Sequence, residues 1–465
     1  MTLARISAQT RAVDTAVTRA SGGRPVPGNA VSLLVDGPAA YAAMRDVITR
    51  ASQWIHFENY IIRSDEEGWA FAKMLAQKAG EGVRVRVLYD WLGSMSTKRA
   101  YWRFLRDAGV EVRAFGPPQL AHPLGIFSRD HRKLVLADGC DAVIGGLCIG
   151  CEWTGGGVDG GQPWRDTAVR IGGPAVPLLD AAFQGTWTAA SGPPIPSAES
   201  APDVPARGDA VVRAIVGKPG RERAYRLIEL LATGARERFW VTDAYFLAPP
   251  RLLQAFRDAA RDGVDVRILV PGTSDIPLVR NLTRFGYRDL LRSGVRIFEW
   301  EGPMLHAKTI VADGRWVRVG SSNLNPASLV GNYELDALID DADLADALEQ
   351  QFRLDIARAS EIVRRPLRGP RRISRRLPAV LARAGPAEAA RYQRSRTERR
   401  RRATVALRLM ASNARRSVFV PAMIALAALA ALFLLAPTIT AYVFGILCVW
   451  LAVSAGLAAF RQRDR

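Results

Sequence analysis

Two short stretches of this chain share one frame. His131-Arg132-Lys133, Asp138 and Gly145-Gly146 form the first; His306-Ala307-Lys308, Asp313 and Gly320-Ser321-Ser322-Asn323 form the second. In each, Lys follows His by two residues, Asp follows Lys by five and Gly follows Asp by seven. The chain has only 4 histidines, and two of them sit in this frame. Such a repeat constrains the fold strongly. It predicts an internal duplication whose halves each contribute a His-Lys pair to one shared site.

The surrounding pattern repeats as well. Trp54 to Ile62 is apolar and β-favouring, Glu66 to Ala79 has helical spacing, and Val83 to Leu88 alternates as a strand does. A helix around Tyr101 to Asp107 leads to Val110-Glu111-Val112, and Lys133 to Ala137 reads as a further strand. The order returns later: a strand at Phe239-Trp240-Val241, a helix over Pro250 to Ala260, and Gly263 to Leu269 echoing Gly82 to Leu88. This rhythm predicts an α/β fold, with helices packed on the faces of a sheet. The expected segments are a loose leader over 1–28, a first half over 29–190, a Pro- and Ser-rich linker over 191–208 and a second half over 209–360.

The remainder is of another character. The chain carries a net charge of +19, and 17 of those charges lie beyond position 360, where 21 Arg face four acids and no Lys. The duplicated core is therefore nearly neutral. An Arg-rich segment spans 361–416, and Ser417 to Phe460 then contains no charged residue. About 20 apolar residues cross a bilayer, so 417–460 predicts two transmembrane helices joined near Pro437. Arg415 and Arg416 before the run and Arg461, Arg463 and Arg465 after it put both ends on the cytoplasmic side. The expectation is a multi-pass protein of the inner (cytoplasmic) membrane, its core cytoplasmic and its Arg-rich segment against anionic lipid. No signal peptide is read at the polar N-terminus. Cys148 and Cys151 have metal or redox spacing, but no second pair completes a zinc site, so the cysteines are read as buried and reduced.

Two His and two Lys suit phosphodiester chemistry. A neutral imidazole can attack phosphorus and form a covalent intermediate, dividing one hard step into two easier ones. A second imidazole can protonate the leaving oxygen and later deprotonate an incoming alcohol. Lysines can offset charge on the non-bridging oxygens, so neither metal nor cofactor is expected. On a strand, residues two apart share a face, so each His and its Lys point together, while Asp138 and Asp313 fall on the other face and read as structural. Each imidazole needs an acceptor for its second nitrogen. Asp166 and Glu334, downstream in each half, are candidates, though each reads equally well as a solvated strand residue. Ser322 and Asn323 are candidates for the phosphate pocket, though Ser and Asn also form turns. His56 and His122 have no partner pattern.

These residues resemble the phospholipase D superfamily, whose signature is HxKxxxxD in duplicate, and within it the bacterial cardiolipin synthases. Arg129-Asp130-His131-Arg132-Lys133 with Asp138-Gly139 is similar to their first motif. Leu305-His306-Ala307-Lys308-Thr309 with Gly320 to Asn323, Asn332 and Glu334 is similar to their second. The likeness runs from about Val31 to Asp340. It implies two pseudo-symmetric phospholipase D-like halves with the active site between them. It also implies that Asp138 and Asp313 belong to the catalytic set with His131, Lys133, His306 and Lys308, and that Asp166, Glu334, Ser322 and Asn323 meet substrate. The implied activity is a phosphatidyltransferase: phosphatidylglycerol gives its phosphatidyl group to a histidine, His131 by the family's usage, with His306 as acid and base. A second phospholipid then accepts the group. A membrane-bound phospholipase D, with water as acceptor, shares the covalent step. A nuclease is disfavoured by the near-neutral core, so no nucleic-acid partner is expected, and a non-catalytic scaffold by two intact motifs.

Overall fold

The computed structural model describes residues 3–118, 128–155, 161–196, 203–274 and 277–363. Contacts divide the chain into two units, Met1–Pro366 and Leu367–Arg465. Every described residue lies in the first. The predicted spans over 417–460, His122 and all but the first three positions of the Arg-rich segment fall outside the described residues. No helix among the described residues is long and apolar enough to cross a membrane.

The first half runs β1 (Val26–Val35), α2 (Asp36–Arg50), β2 (Trp54–Asn59), α3 (Glu66–Gly80), β3 (Arg84–Asp90), α4 (Arg99–Asp107), β4 (Glu111–Phe115), β5 (Lys133–Ala137), β6 (Asp141–Gly145), β7 (Thr167–Gly172) and α5 (Val176–Ala189). The second repeats that order as β8 (Ala210–Gly217), α6 (Arg223–Gly234), β9 (Arg238–Thr242), α7 (Pro250–Arg261), β10 (Asp265–Pro271), α8 (Pro277–Arg292), β11 (Arg296–Trp300), β12 (Thr309–Ala312), β13 (Trp316–Gly320), β14 (Glu334–Asp340) and α9 (Ala342–Ile356). A short strand, β15 (Ala359–Glu361), is appended. Caps agree with sequence: the Asp65 carboxylate accepts from Gly68 N at 2.9 Å to start α3, and Asp341 accepts from Leu344 N at 2.8 Å to start α9.

The halves are not separate sheets. Among the described residues the strands form one 15-stranded sheet, β15-β11-β10-β9-β12-β13-β14-β8-β1-β7-β6-β5-β2-β3-β4, which apart from the appended β15 reads identically outward from the antiparallel β1–β8 join. Alternation along β5 shows how the sheet is buried on both faces. Leu134 and Leu136 enter a core shared by both halves, with α5 and α9 within it, whereas Val135 and Ala137 face the first half's outer helices. An equivalent outer core covers the second half.

The leader departs from expectation. Residues 3–21 form a helix, α1 (Leu3–Ser21), that packs on α6. Val17 is buried in the second half's outer core, and Asp14 pairs with buried Arg213 at 2.5 Å. Its Ala-rich composition favours helix, and its thin apolar face is completed only by docking.

Candidate active site

The two motifs are drawn together by short bridges between halves. His131 N donates to Tyr333 O at 2.9 Å and Tyr333 N to Arg129 O at 2.8 Å. In the mirrored position, His306 N donates to Arg165 O at 2.7 Å and Arg165 N to Met304 O at 3.0 Å. Each histidine is thus zipped to the segment that precedes the opposite half's carboxylate. The side chains follow: His131 Nδ1 lies 3.1 Å from Glu334 Oε2, and His306 Nδ1 lies 2.7 Å from Asp166 Oδ2. A carboxylate can only accept, so each Nδ1 carries the proton and each Nε2 presents a lone pair.

Both carboxylates are held in turn. Asp166 also accepts from Trp153 Nε1 at 2.9 Å and Thr167 N at 2.8 Å; Glu334 accepts from Ser321 Oγ at 2.5 Å. Ser321 occupies the position of Gly146 in the first half, where a Cβ would come within 2.2 Å of Asp166 Oδ1. A glycine is needed there because Asp166 fills the space.

Arg132, between His131 and Lys133, is fully buried and spans the halves. It donates to Glu334 O at 3.1 Å, Gly217 O at 3.1 Å and Ala182 O at 2.8 Å, with Glu58 3.9 Å away. Its counterpart is Ala307, so only the first motif is pinned in this way. Lys133 Nζ donates to His131 O at 2.5 Å, and Lys308 Nζ likewise to His306 O.

Burial dominates the electrostatics. It lowers His131 and, with the Lys308 ammonium, pushes His306 down to about 3. Burial alone would raise Asp166, but His306 and Lys308 outweigh it and hold the carboxyl at about 2. Burial would raise Glu334 too, and His131 and Lys133 bring it below its ordinary value. Burial brings Lys308 down to about 8, against the pull of Asp166. Around neutral pH the site therefore holds two neutral imidazoles and two carboxylates, with the Lys308 ammonium beside them. An arriving phosphodiester adds a negative charge and favours one added proton, which is what an acid for the leaving group requires.

The histidines open on a cavity of about 510 Å³ walled by Tyr60, Trp153, Trp164 and Tyr245, with Asn323 and Asn332 alongside. The Asn323 amide is 4 % exposed; among the described residues its Oδ1 has no partner and its Nδ2 reaches only Ser328 Oγ at 3.5 Å, so it has capacity for a substrate oxygen. Among the described residues no cluster of three or more His, Cys, Asp or Glu is placed to hold a metal.

Several expectations are corrected. Ser322 does not face the cavity: its Oγ donates to Asp336 Oδ2 at 2.6 Å, an ion-pair network that Arg318 completes at 2.7 Å. Asp166 and Glu334 are buried behind the histidines and line no substrate surface. Asp138 and Asp313 lie at the far ends of β5 and β12, remote from the chemistry. Each sits at positive φ (52°) before a left-handed glycine, the pair forming a tight hairpin turn. Asp138 accepts from the backbone N–H of Ser52 at 2.8 Å and of Gln53 and Trp54 at 2.9 Å; Asp313 receives Arg236, Glu237 and Arg238 in the same way. The aspartate of the motif fixes the strand beside it. His56 is a core residue, its Nδ1 2.7 Å from Asp180.

Sequence reasoning missed Trp153, Cys148, Arg63 and Leu247 as cavity residues. For Cys148 a signal existed: it aligns with Asn323 when the two glycine positions are superposed.

Known proteins resemble this chain in sequence and in fold. The family described as cardiolipin synthase, PLD-like domain, matches residues 227–356. Cardiolipin synthase of Geobacillus thermodenitrificans is 36% identical over 338 residues, 71% of this chain and 67% of the relative. Cardiolipin synthase A of Pseudomonas putida is 34% identical over 340 residues, 72% of this chain and 70% of the relative. The crystal structure of phosphatidylserine synthase from Haemophilus influenzae superposes with a TM-score of 0.61 over 76% of this chain and 92% of that one; at 16% identity it speaks to the fold. The chain belongs to the cardiolipin synthase family of phospholipase D-like proteins. Its activity is that of a phospholipase D-type phosphatidyltransferase acting between phospholipids.

Proposed function

We propose that the reaction runs through a phosphohistidine, with phosphatidylglycerol as both donor and acceptor. The crossed pairs carry this reading: His131 on Glu334 and His306 on Asp166, both Nε2 atoms facing one cavity. His131 Nε2 attacks the donor phosphorus and the bond to the glycerol oxygen breaks. That oxygen takes a proton from the imidazolium of His306, so glycerol leaves neutral. The hydroxyl of the second lipid then gives its proton to His306 as its oxygen attacks phosphorus, and the P–N bond returns its electron pair to His131. Lys133 and Lys308 offset the charge on the non-bridging oxygens in both steps. Assigning His131 as nucleophile rests on family usage, supported by the Arg132 clamp that the second motif lacks.

The apolar run 417–460 would anchor this core on the cytoplasmic face of the inner membrane, with the Arg-rich segment against anionic headgroups. The absence of charge over that run and the arginines at both ends support it.

The test is to incubate membranes containing the full chain with phosphatidylglycerol labelled in an acyl chain. Cardiolipin with free glycerol is expected; phosphatidic acid as sole product sinks the transferase reading. After a denaturing quench, label should stay on the peptide bearing His131. Label on the His306 peptide would reverse the assignment.

A further inference from the structure

We infer that Arg63 anchors the phosphate of the acceptor lipid, so that the cavity tells a lipid acceptor from water or a simple alcohol. The inference rests on the phosphatidyl-transfer reading and adds the acceptor's recognition site.

A transfer between two phosphatidylglycerols places two phosphodiesters in one cavity. Lys133 and Lys308 lie beneath the histidines, both almost wholly buried, and serve the phosphorus under attack. Their charges are already balanced by Asp166 and Glu334. The second phosphate, separated from the attacking hydroxyl by the glycerol carbons, needs a cation of its own farther out. Among the described residues lining the cavity, Arg63 is the one permanent cation.

Its guanidinium is held for that purpose. Nε donates to Glu152 Oε1 at 2.9 Å and Nη1 to Ser96 Oγ at 2.8 Å, while the backbone N binds Ile149 O at 2.9 Å. Nη2 has no partner among the described residues, and the side chain keeps 33% exposure. A pre-set planar fork with an open edge suits a phosphate oxygen and loses little freedom on binding it.

The pseudo-symmetry sharpens the point. Asp138 holds 52–54 and Asp313 holds 236–238, so Arg63 corresponds to Leu247, which lines the same cavity and is 39% exposed. Equivalent rims of a duplicated site thus carry a cation on one side and an aliphatic side chain on the other. Two chemically similar lipids can be assigned different roles by that difference alone. Glu152 keeps Arg63 in place but also repels an incoming anion.

The experiment uses the full chain in mixed micelles with labelled phosphatidylglycerol and added labelled glycerol. It reads the ratio of cardiolipin to glycerol-exchanged phosphatidylglycerol. Glycerol is an acceptor without a phosphate, and both products share the donor step. In Arg63→Gln the ratio is expected to fall by about ten- to hundredfold, the worth of a hydrogen bond to a charged group. Arg63→Lys should recover part of it. Glu152→Gln, which keeps an acceptor for Nε and removes the negative charge, should lower KM for the lipid acceptor. A wild-type ratio in Arg63→Gln overturns the inference whatever happens to the total rate, and so does a KM that rises or stays level in Glu152→Gln. A wild-type chain that makes neither product overturns the transferase reading itself, a result distinct from a failure at Arg63.

Discussion

His306 Nδ1 and Asp166 Oδ2 lie 2.7 Å apart although the residues belong to opposite halves of the duplication. Glu334 reaches back to His131 in the same manner at 3.1 Å. Neither half can orient its own imidazole, so the reacting geometry exists only where the two halves meet.

Asp166→Asn and Glu334→Gln should therefore each lower kcat by about 10²–10⁴-fold, the usual worth of correctly held acid–base groups, because an amide can also donate and no longer fixes the tautomer. Steady-state kinetics on purified variants check this. A loss confined to KM would argue that these carboxylates meet substrate after all.

The pH dependence follows from burial. His306 is held at about 3 against an ordinary 6.5, so between those values the unfolded chain binds a proton that the folded chain does not. Stability should fall as pH drops through that window, and Asp166, at about 2 against 3.8, extends the loss below it. At the alkaline end the folded chain releases the Lys308 proton near 8 and the unfolded chain near 10.5, so this group adds stability across that range. Activity should decline there, as the neutral amine no longer offsets phosphoryl charge. Urea midpoints and kcat/KM measured in parallel from pH 4 to about 10 test both signs. A flat rate above pH 8 would contradict the role given to Lys308.

Asp138→Ala and Asp313→Ala should cost stability rather than chemistry. Each removes acceptors for three successive backbone N–H groups and replaces a residue that tolerates positive φ at the turn with one that tolerates it less. A loss of about 1–3 kcal/mol in denaturant unfolding is expected, with KM near wild type. Inactive variants of undiminished stability would return these aspartates to the catalytic set.

Gly146→Ala offers a test from outside the motif. The new Cβ would stand 2.2 Å from Asp166 Oδ1, so the carboxylate must shift and carry the His306 bond with it. Overpacking of this kind costs about 1–3 kcal/mol, but the fall in kcat should exceed what that destabilisation explains. Unchanged kcat would show that Asp166 can move without disturbing His306.

The sequence by itself determined the duplication, the α/β rhythm and both His-Lys pairs, and it offered Asp166 and Glu334 as candidate acceptors. These are local matters: a period-two strand sets which side chains point together, and a repeated order of elements folds alike in both copies. It also placed the motif aspartates on the opposite face from the chemistry, where the turn geometry now gives them work. The helix at 3–21 escaped notice because its burial depends on a partner surface two hundred residues away, at Arg213 and α6. Ser322 was misplaced because Asp336, which accepts its hydroxyl proton, lies on the neighbouring strand β14.

Which carboxylate serves which histidine, and which rim residue is charged, was decided only by tertiary structure. Along the chain Asp166 is nearer to His131 and Glu334 nearer to His306, and the fold pairs them the other way. The reason is geometric. The shared core lies between the halves, so the segments that close the site approach from opposite sides, and each imidazole finds its acceptor across the join.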